Sequence, residues 1–312
     1  MDDVANMIAK AREWTPAPMA IATVVQTWGS APRPRGSHML VHRDGRFEGS
    51  VSGGCVENAI LASAEQVIAS GQAALHRFGV SDGDAWEAGL PCGGEIAVLV
   101  QPVADHGFPL AVIEAIATAR AAGESLAVST DLDSGRSVIG AAEGAFVYCY
   151  RPPRRLIITG AVQIAQALAG LAREMGIATT VIDPRGRFLT RERFPHATLD
   201  DRWPDEAVTA LRPDPASAIV TLSHDIKIDD PALIAALNAP TGYIAALGSR
   251  KSHAARRERL AAAGFADRDL DRIDGPAGLD IGAVGPGEIA LSIAAGMVQA
   301  FNRVAARQPE TV

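Results

Sequence analysis

Cysteine is scarce in this chain: three in 312 residues, Cys55, Cys92 and Cys149. An odd, widely spaced set argues against a disulfide framework and against the closely paired cysteines of a structural metal site. No metal centre is therefore expected, and a reducing cytoplasm is the compartment that fits. Aromatic residues make up only 5%, so packing must rest on small and aliphatic side chains. No apolar run approaches the ~18 residues that signal a membrane span. Met1 to Lys10 has no basic stretch leading into an apolar one, so no signal peptide is expected. A basic surface is lacking too. The net charge is −7 and the arginines are scattered, apart from the Arg256-Arg257 pair and a few short clusters. That argues against nucleic acid and leaves small molecules or protein partners.

What is present suits two globular domains. Apolar residues make up 48% and charged residues 21%. The segment Tyr150-Arg151-Pro152-Pro153-Arg154-Arg155 is a stiff polar joint. It divides an N-terminal domain (1–150) from a C-terminal one (151–312). Before the joint, hairpin signals at Asp44-Gly45 and Asp133-Ser134-Gly135 alternate with helical stretches at Val56 to Ser70 and Leu110 to Ala122. This predicts an α+β domain. After it, short β-branched runs at Leu156 to Thr159, Ala178 to Ile182, Ala218 to Leu222 and Tyr243 to Leu247 alternate with helices, one of them predicted over Pro231 to Asn238. Together the fold class is α/β: an α+β domain, then a Rossmann-like, doubly wound parallel sheet in 3-2-1-4-5 order.

Three places carry chemistry. At a strand-to-helix turn, Gly160-Ala161-Val162-Gln163 occupies the position of a dinucleotide fingerprint, and Asp183 follows at about the 20-residue distance of a ribose-binding acid. Val162 stands where a second glycine would let a pyrophosphate approach, so its side chain is expected to project into the phosphate site. Gly160 then either serves a binding pocket or merely makes the turn. Arg185 and Arg187 can hold a phosphate or simply be solvated. In the first half, Gly49-Ser50-Val51-Ser52-Gly53-Gly54-Cys55-Val56-Glu57 and Cys92-Gly93-Gly94-Glu95 each set a cysteine beside a glycine pair. Backbone N–H groups of Gly53, Gly54 and Gly93 could converge into an anion nest. Cys55 also opens a predicted helix, whose dipole favours thiolate. The alternative is that both are small cysteines in tight turns. Cys149, in an apolar strand, reads as core. Upstream, Arg33 and Arg35 project from a Pro- and Gly-stiffened loop suited to an anion, or to an ordinary surface.

These segments resemble the XdhC/CoxI family. Trp28-Gly29-Ser30-Ala31-Pro32-Arg33, the Gly49–Glu57 motif and Cys92-Gly93-Gly94 are similar to its N-terminal domain. His224-Asp225, Ala246-Leu247-Gly248-Ser249-Arg250, Gly278-Leu279-Asp280-Ile281-Gly282-Ala283 and Glu288-Ile289-Ala290 look like its Rossmann domain. The likeness runs over nearly the whole chain in the right order. It implies an accessory protein, without turnover of its own, that binds a molybdopterin-type molybdenum cofactor. Such a protein supports sulfuration of that cofactor with a cysteine desulfurase and its delivery to a xanthine-dehydrogenase-type molybdenum hydroxylase. A homodimer is implied as well. Cys55 and Cys92 fall on the family's cysteine positions. Gly160, Asp183, Arg185, His224, Asp225, Ser249 and Arg250 would serve the cofactor's phosphate or nucleotide. The family usually reads Gly-Ala-Gly-His at Gly160-Ala161-Val162-Gln163, and often has a larger residue at Gly287. The first departure puts nucleotide binding in doubt and disfavours NAD(P). Two other readings stand beside this one: an NAD(P)-dependent oxidoreductase built on the second half, and a cysteine-based sulfur-transfer enzyme.

Overall fold

The computed structural model describes residues 2–79 and 94–306. The chain forms two compact units, one running from Asp2 to Pro152 and the other from Pro153 onward.

In the first unit, α1 (Asp3–Trp14) precedes β1 (Met19–Trp28), β2 (His38–His42) and β3 (Phe47–Gly49). Then come α2 (Glu57–Ser70), β4 (Ala74–Phe78) and β5 (Glu95–Pro102). The five strands pair in the order β3-β2-β1-β5-β4, and every pairing is antiparallel. A helix α3 (Leu110–Ala122) leads to a second, three-stranded sheet of β6 (Leu126–Thr130), β7 (Ser137–Ile139) and β8 (Phe146–Tyr150). The central strand β1 is buried on both faces. Ala20, Ala22 and Val24 meet Ile60, Ala64 and Val67 of α2, whereas Met19 and Ile21 meet α1 and α3. A strand covered on both sides has no polar face to show, which is why β1 is apolar from Met19 to Val25 but for the buried Thr23. Gly45 makes the β2–β3 turn at φ 88. The ladder then stops at Gly49, where the chain turns into the cysteine loop.

The second unit starts with β9 (Arg155–Thr159), α4 (Gln163–Glu174), β10 (Ala178–Ile182) and β11 (Thr198–Asp200). It continues with α5 (Pro204–Leu211), β12 (Ser217–Thr221), α6 (Ile226–Leu237), β13 (Tyr243–Ala246), α7 (Arg250–Ala262), α8 (Asp267–Leu270), β14 (Ile273–Asp274) and α9 (Pro286–Ala306). Its six strands are all parallel, in the order β11-β10-β9-β12-β13-β14. This is the expected 3-2-1-4-5 winding with a sixth strand added. Leu156, Ile158, Val181 and Val220 pack beneath α4 and α9. Ile157, Ile182, Ile219 and Ile244 pack beneath α5, α6 and α7. Helices thus cover both faces, and the strand order reverses between β9 and β12. Ligands of doubly wound sheets bind beyond the carboxyl ends of the strands at such a reversal.

One helix differs from its sequence reading. Pro231 is the expected start of α6, but the helix begins at Ile226 and carries Pro231 in its interior. The reason is Asp225, whose carboxylate accepts from the Lys227 N–H at 3.0 Å and caps the first turn. Asp225→Ala is therefore expected to lower stability by about 1 kcal/mol, measured as a lower urea midpoint at unchanged slope.

Candidate functional site

The motifs of the first unit leave one end of its five-stranded sheet. The loop after β1, the loop after β3 and the segment entering β5 all sit there, because neighbouring strands run antiparallel. Ala31 of the first loop packs on the cluster that holds Val51 and Val56 of the second. Gly94 lies so close to the backbone of Trp28 and Ser30 that an added Cβ would stand 2.6 Å from the Ser30 carbonyl oxygen. Cys92 and Gly93 lie outside the described residues.

The Gly49–Glu57 loop does contain a nest, but its occupant is internal. Glu57, the first residue of α2, turns its carboxylate back over the loop. Oε1 accepts from the Ser50 hydroxyl at 2.6 Å and the Ser52 N–H at 3.0 Å. Oε2 accepts from the Ser52 hydroxyl, the Gly54 N–H at 2.9 Å and the Val56 N–H at 3.2 Å. Burial pushes this carboxyl up, but the hydrogen bonds from Ser50, Ser52 and the backbone outweigh it and hold the group at about 2. The Gly53 N–H donates to the Ser50 hydroxyl oxygen and the Cys55 N–H to that of Ser52. The Gly53 and Gly54 amides expected to gather round a thiolate are thus occupied by the loop's own side chains. Cys55 itself is exposed at the tip and lies one residue before the cap, Val56, so it precedes the helix rather than opening it. What the loop does is hold a solvent-facing thiol on a fixed backbone. Gly53 at φ 79 and Gly54 at φ 119 supply the left-handed turns this requires. Arg33 is ion-paired with Asp3 of α1, which engages the charge expected for an anion. Cys149 is half-buried rather than core.

In the second unit, the residues singled out from sequence converge on the carboxyl edge of the sheet. Gly160 has φ 97 and lies against the loop after β12; an added Cβ would come within 2.6 Å of the Ser223 nitrogen. Asp183 is fully buried. Its Oδ2 accepts from the Ala161 N–H and Arg185 Nη2, both at 2.8 Å, and its Oδ1 from the Arg185 N–H and Nε, both at 2.9 Å. The acid expected to bind a ribose therefore ties the glycine turn to Arg185. It could meet a ribose only if that clamp opened. Burial raises its carboxyl, while the bonds from Arg185 and Ala161 lower it by more. Val162 is half-buried and packs against the apolar cluster under α4. His224 and Asp225 are exposed on the next loop, and Arg250 is exposed at the start of α7. Ser249 is the cap of α7, accepting from the Ser252 N–H at 3.1 Å.

Several residues of these sites escape a reading of the sequence. Glu57 stands inside the quoted motif, and an acid following Ser-x-Ser-Gly-Gly is the local signal that could mark it. Asp229 and Arg256, both buried near the same carboxyl edge, have no local signal, since only the winding of the sheet joins them. At the opposite edge, a cleft of about 490 Å³ lies between α4 and the segment 193–197, with Arg173, Arg193 and His196 in its walls. Among the described residues, no group of three or more His, Cys, Asp or Glu side chains is placed to hold a metal ion. No described helix is long and apolar enough to cross a membrane.

Over 284 residues, 88% of this chain and 81% of its relative, the sequence is 31% identical to the molybdenum cofactor insertion chaperone PaoD of Escherichia coli. The chain belongs to the XdhC and CoxI family. Residues 15–79 match the XdhC and CoxI family and residues 156–297 match the XdhC Rossmann domain. The Cys55 loop lies inside the first range, and Cys92 lies in neither. Another relative, named as a probable xanthine dehydrogenase subunit of Bacillus subtilis, is 26% identical over 91% of this chain and 94% of its own length. The crystal structure of a xanthine dehydrogenase from Bacillus halodurans aligns over 100% of this chain and 98% of its own, with a TM-score of 0.75 and 26% identity.

Proposed function

We propose that this protein is a maturation factor that holds molybdenum cofactor and hands it to a molybdenum hydroxylase of the xanthine dehydrogenase type. The observation that carries this reading is the match to a cofactor insertion chaperone over 88% of the chain. The geometry supports it: an exposed thiol on a braced loop, and a second unit whose functional loops gather at the edge where parallel sheets bind ligands. The cargo is the molybdopterin-type cofactor. Cys55, as thiolate, is the soft group that meets its metal centre, since thiolates favour soft ligand positions, and Cys92 is its partner. Gly53, Gly54 and Gly93 let the backbone come close; the second unit, taken by itself, offers an edge suited to a phosphate or nucleotide. Sulfuration by a cysteine desulfurase takes place while the cofactor is held, in the cytoplasm, on a homodimer. The filled glycine turn favours a cofactor carrier over an NAD(P) enzyme, because the Ala161 N–H and the face of Gly160 are already engaged.

The test is Cys55→Ser in a defined activation assay with the apo-hydroxylase, free molybdenum cofactor and a desulfurase. Activation is expected to fall about tenfold or more, as for loss of a metal-site contact, with an unchanged melting temperature. Full activation by soluble Cys55→Ser protein would overturn the assignment of this thiol.

A further inference from the structure

Where the strand order reverses, four polar atoms are buried without a hydrogen-bond partner: Oγ1 of Thr159, Oγ1 of Thr221, and Nε and Nη1 of Arg256. Thr159 and Thr221 end the adjacent strands β9 and β12 and stand opposite each other in the ladder. They lie on the face covered by α6 and α7, because Ile157 and Ile219, two residues earlier, pack there. Arg256 is 5% exposed on the second turn of α7, and its Nη2 donates to the Leu247 carbonyl at 2.9 Å. The Leu247 N–H donates in turn to the Thr221 carbonyl at 2.9 Å, which places the guanidinium beside the end of β12.

Across from it is Asp229, in the first turn of α6 and 2% exposed. Its Oδ1 accepts from the Ser223 hydroxyl at 2.7 Å and the Ser223 N–H at 3.3 Å. Asp229 and Arg256 act on each other through space. Among the described residues no ion pair joins them, and the neighbouring Asp230 pairs instead with Arg259 at 2.6 Å. A buried cation with free donors thus faces a buried acid without touching it. Native proteins rarely leave such groups unpaired, and where they do a ligand or function is the usual reason. An anion would be repelled by Asp229 and a cation by Arg256. A neutral planar edge with N–H at one end and C=O at the other fits both.

We propose that this buried polar cluster, when the turn that covers it lifts, recognises the 2-amino-4-oxopyrimidine edge of a pterin. The ring N–H and exocyclic amine donate to Asp229, the carbonyl accepts from Arg256, and the hydroxyls of Thr159 and Thr221 line the floor. Guanine carries the same edge, so the shared chemistry has two sources. The inference rests on the cofactor-binding reading above and names the part of the cargo that this site reads. Entry requires the Ser223–Asp225 turn to lift from Asp229. That turn carries His224 at φ 60, a left-handed conformation seldom held outside glycine.

The experiment uses the full chain under anaerobic conditions with molybdenum cofactor released from a donor molybdoenzyme. Retention after gel filtration is read as molybdenum content and as fluorescence of the oxidised pterin. The wild type is expected to retain cofactor. Asp229→Asn, a near-isosteric change, and Arg256→Met are each expected to weaken retention about tenfold or more, as for a hydrogen bond to a charged group. GMP is expected to compete and AMP not. The alkylation rate of Cys55 in the other unit and the melting temperature serve as controls. If Arg256→Met does not fold, Arg256→Lys, which keeps the charge and loses the planar fork, takes its place. Wild-type retention by both substituted proteins, or competition by AMP equal to that by GMP, would overturn the proposal and leave the chaperone reading standing. GMP binding that depends on Asp229, beside cofactor retention that does not, would overturn the pterin assignment and give the site to guanine nucleotides. A wild type that retains no cofactor overturns the chaperone reading itself.

Discussion

Glu57→Ala is expected to destabilise the first unit by about 3 kcal/mol or more and to release the Cys55 loop, because it strands several donors at once. Two hydroxyls and three backbone N–H groups converge on this one carboxylate, and among the described residues no other acid is bonded to them. Leaving a buried donor unmet costs about 1–3 kcal/mol, and the relaxed loop will recover part of that from water. Glu57→Gln keeps the shape but turns an amide N–H₂ toward a site made wholly of donors, so it should fall between Ala and wild type. Two measurements check this. The urea midpoint should drop in the order wild type, Gln, Ala. The alkylation rate of Cys55 should change in the same order, because the loop that presents the thiol is fixed by Glu57. A Glu57→Ala protein with wild-type stability and thiol reactivity would show that the loop is held by its glycines and serines alone. Acid acts on the same group. Its ordinary value is 4.5 and the folded value about 2. Its stabilising contribution is therefore complete above 4.5 and is lost as pH falls toward 2.

How much of this is legible from sequence depends on the range of the interaction. The parallel half is legible because strands buried on both faces must be apolar throughout, and Leu156 to Ile158 and Ile219-Val220 are. The sixth strand is not, since Ile273–Asp274 is too short to show any period. The helix α1 does leave a trace, with Met7, Ile8, Ala11 and Trp14 at helical spacing behind the Asp2 cap, but it goes unassigned from sequence. Pro231 reads as a helix start because proline favours that position; the Asp225 cap outweighs it.

The chemistry divides in the same way. Gly53-Gly54-Cys55 and Gly160-Ala161-Val162 do fall at turns, which their composition marks. The direction of each side chain is not so marked. Nothing local says that Ser223 fills the face of Gly160 or that Asp183 holds the Ala161 N–H. Those are contacts between segments far apart in the chain. The Glu57 nest is the instructive exception. It is local, within eight residues, and it escapes notice when the glycine amides are assigned to a thiolate, although a carboxylate three residues from Gly54 can reach the same amide.

The first unit is also expected to lose about 3 kcal/mol of stability as pH falls from 6.5 to about 4, through a single histidine. His38 begins β2 and is 3% exposed. Its Nδ1 is 3.0 Å from the Thr23 hydroxyl and its Nε2 is 2.9 Å from the Tyr150 hydroxyl. Its ring lies against Tyr148 and Tyr150. A neutral imidazole has one donor and one acceptor nitrogen, and a hydroxyl can serve either, so this surrounding suits the uncharged ring. Burial pushes the ring from its ordinary 6.5 down to about 4, and the charge of Asp3 opposes this only weakly. The sign follows from which state takes the proton. Below 6.5 the unfolded chain binds a proton that the folded ring refuses, so unfolding gains ground until the folded ring titrates near 4; above 6.5 there is no effect. Half-buried His76 and His253 are also lowered by burial and add in the same direction, so the wild-type curve alone does not isolate His38. The comparison is with His38→Asn, which fills part of the site and cannot titrate. Urea titrations at pH 7, 6, 5 and 4 should show the wild type losing about 3 kcal/mol more than the variant across that window. Equal slopes in the two proteins would mean that the folded ring accepts a proton at its ordinary pH, and that the Thr23–His38–Tyr150 contacts open to admit it.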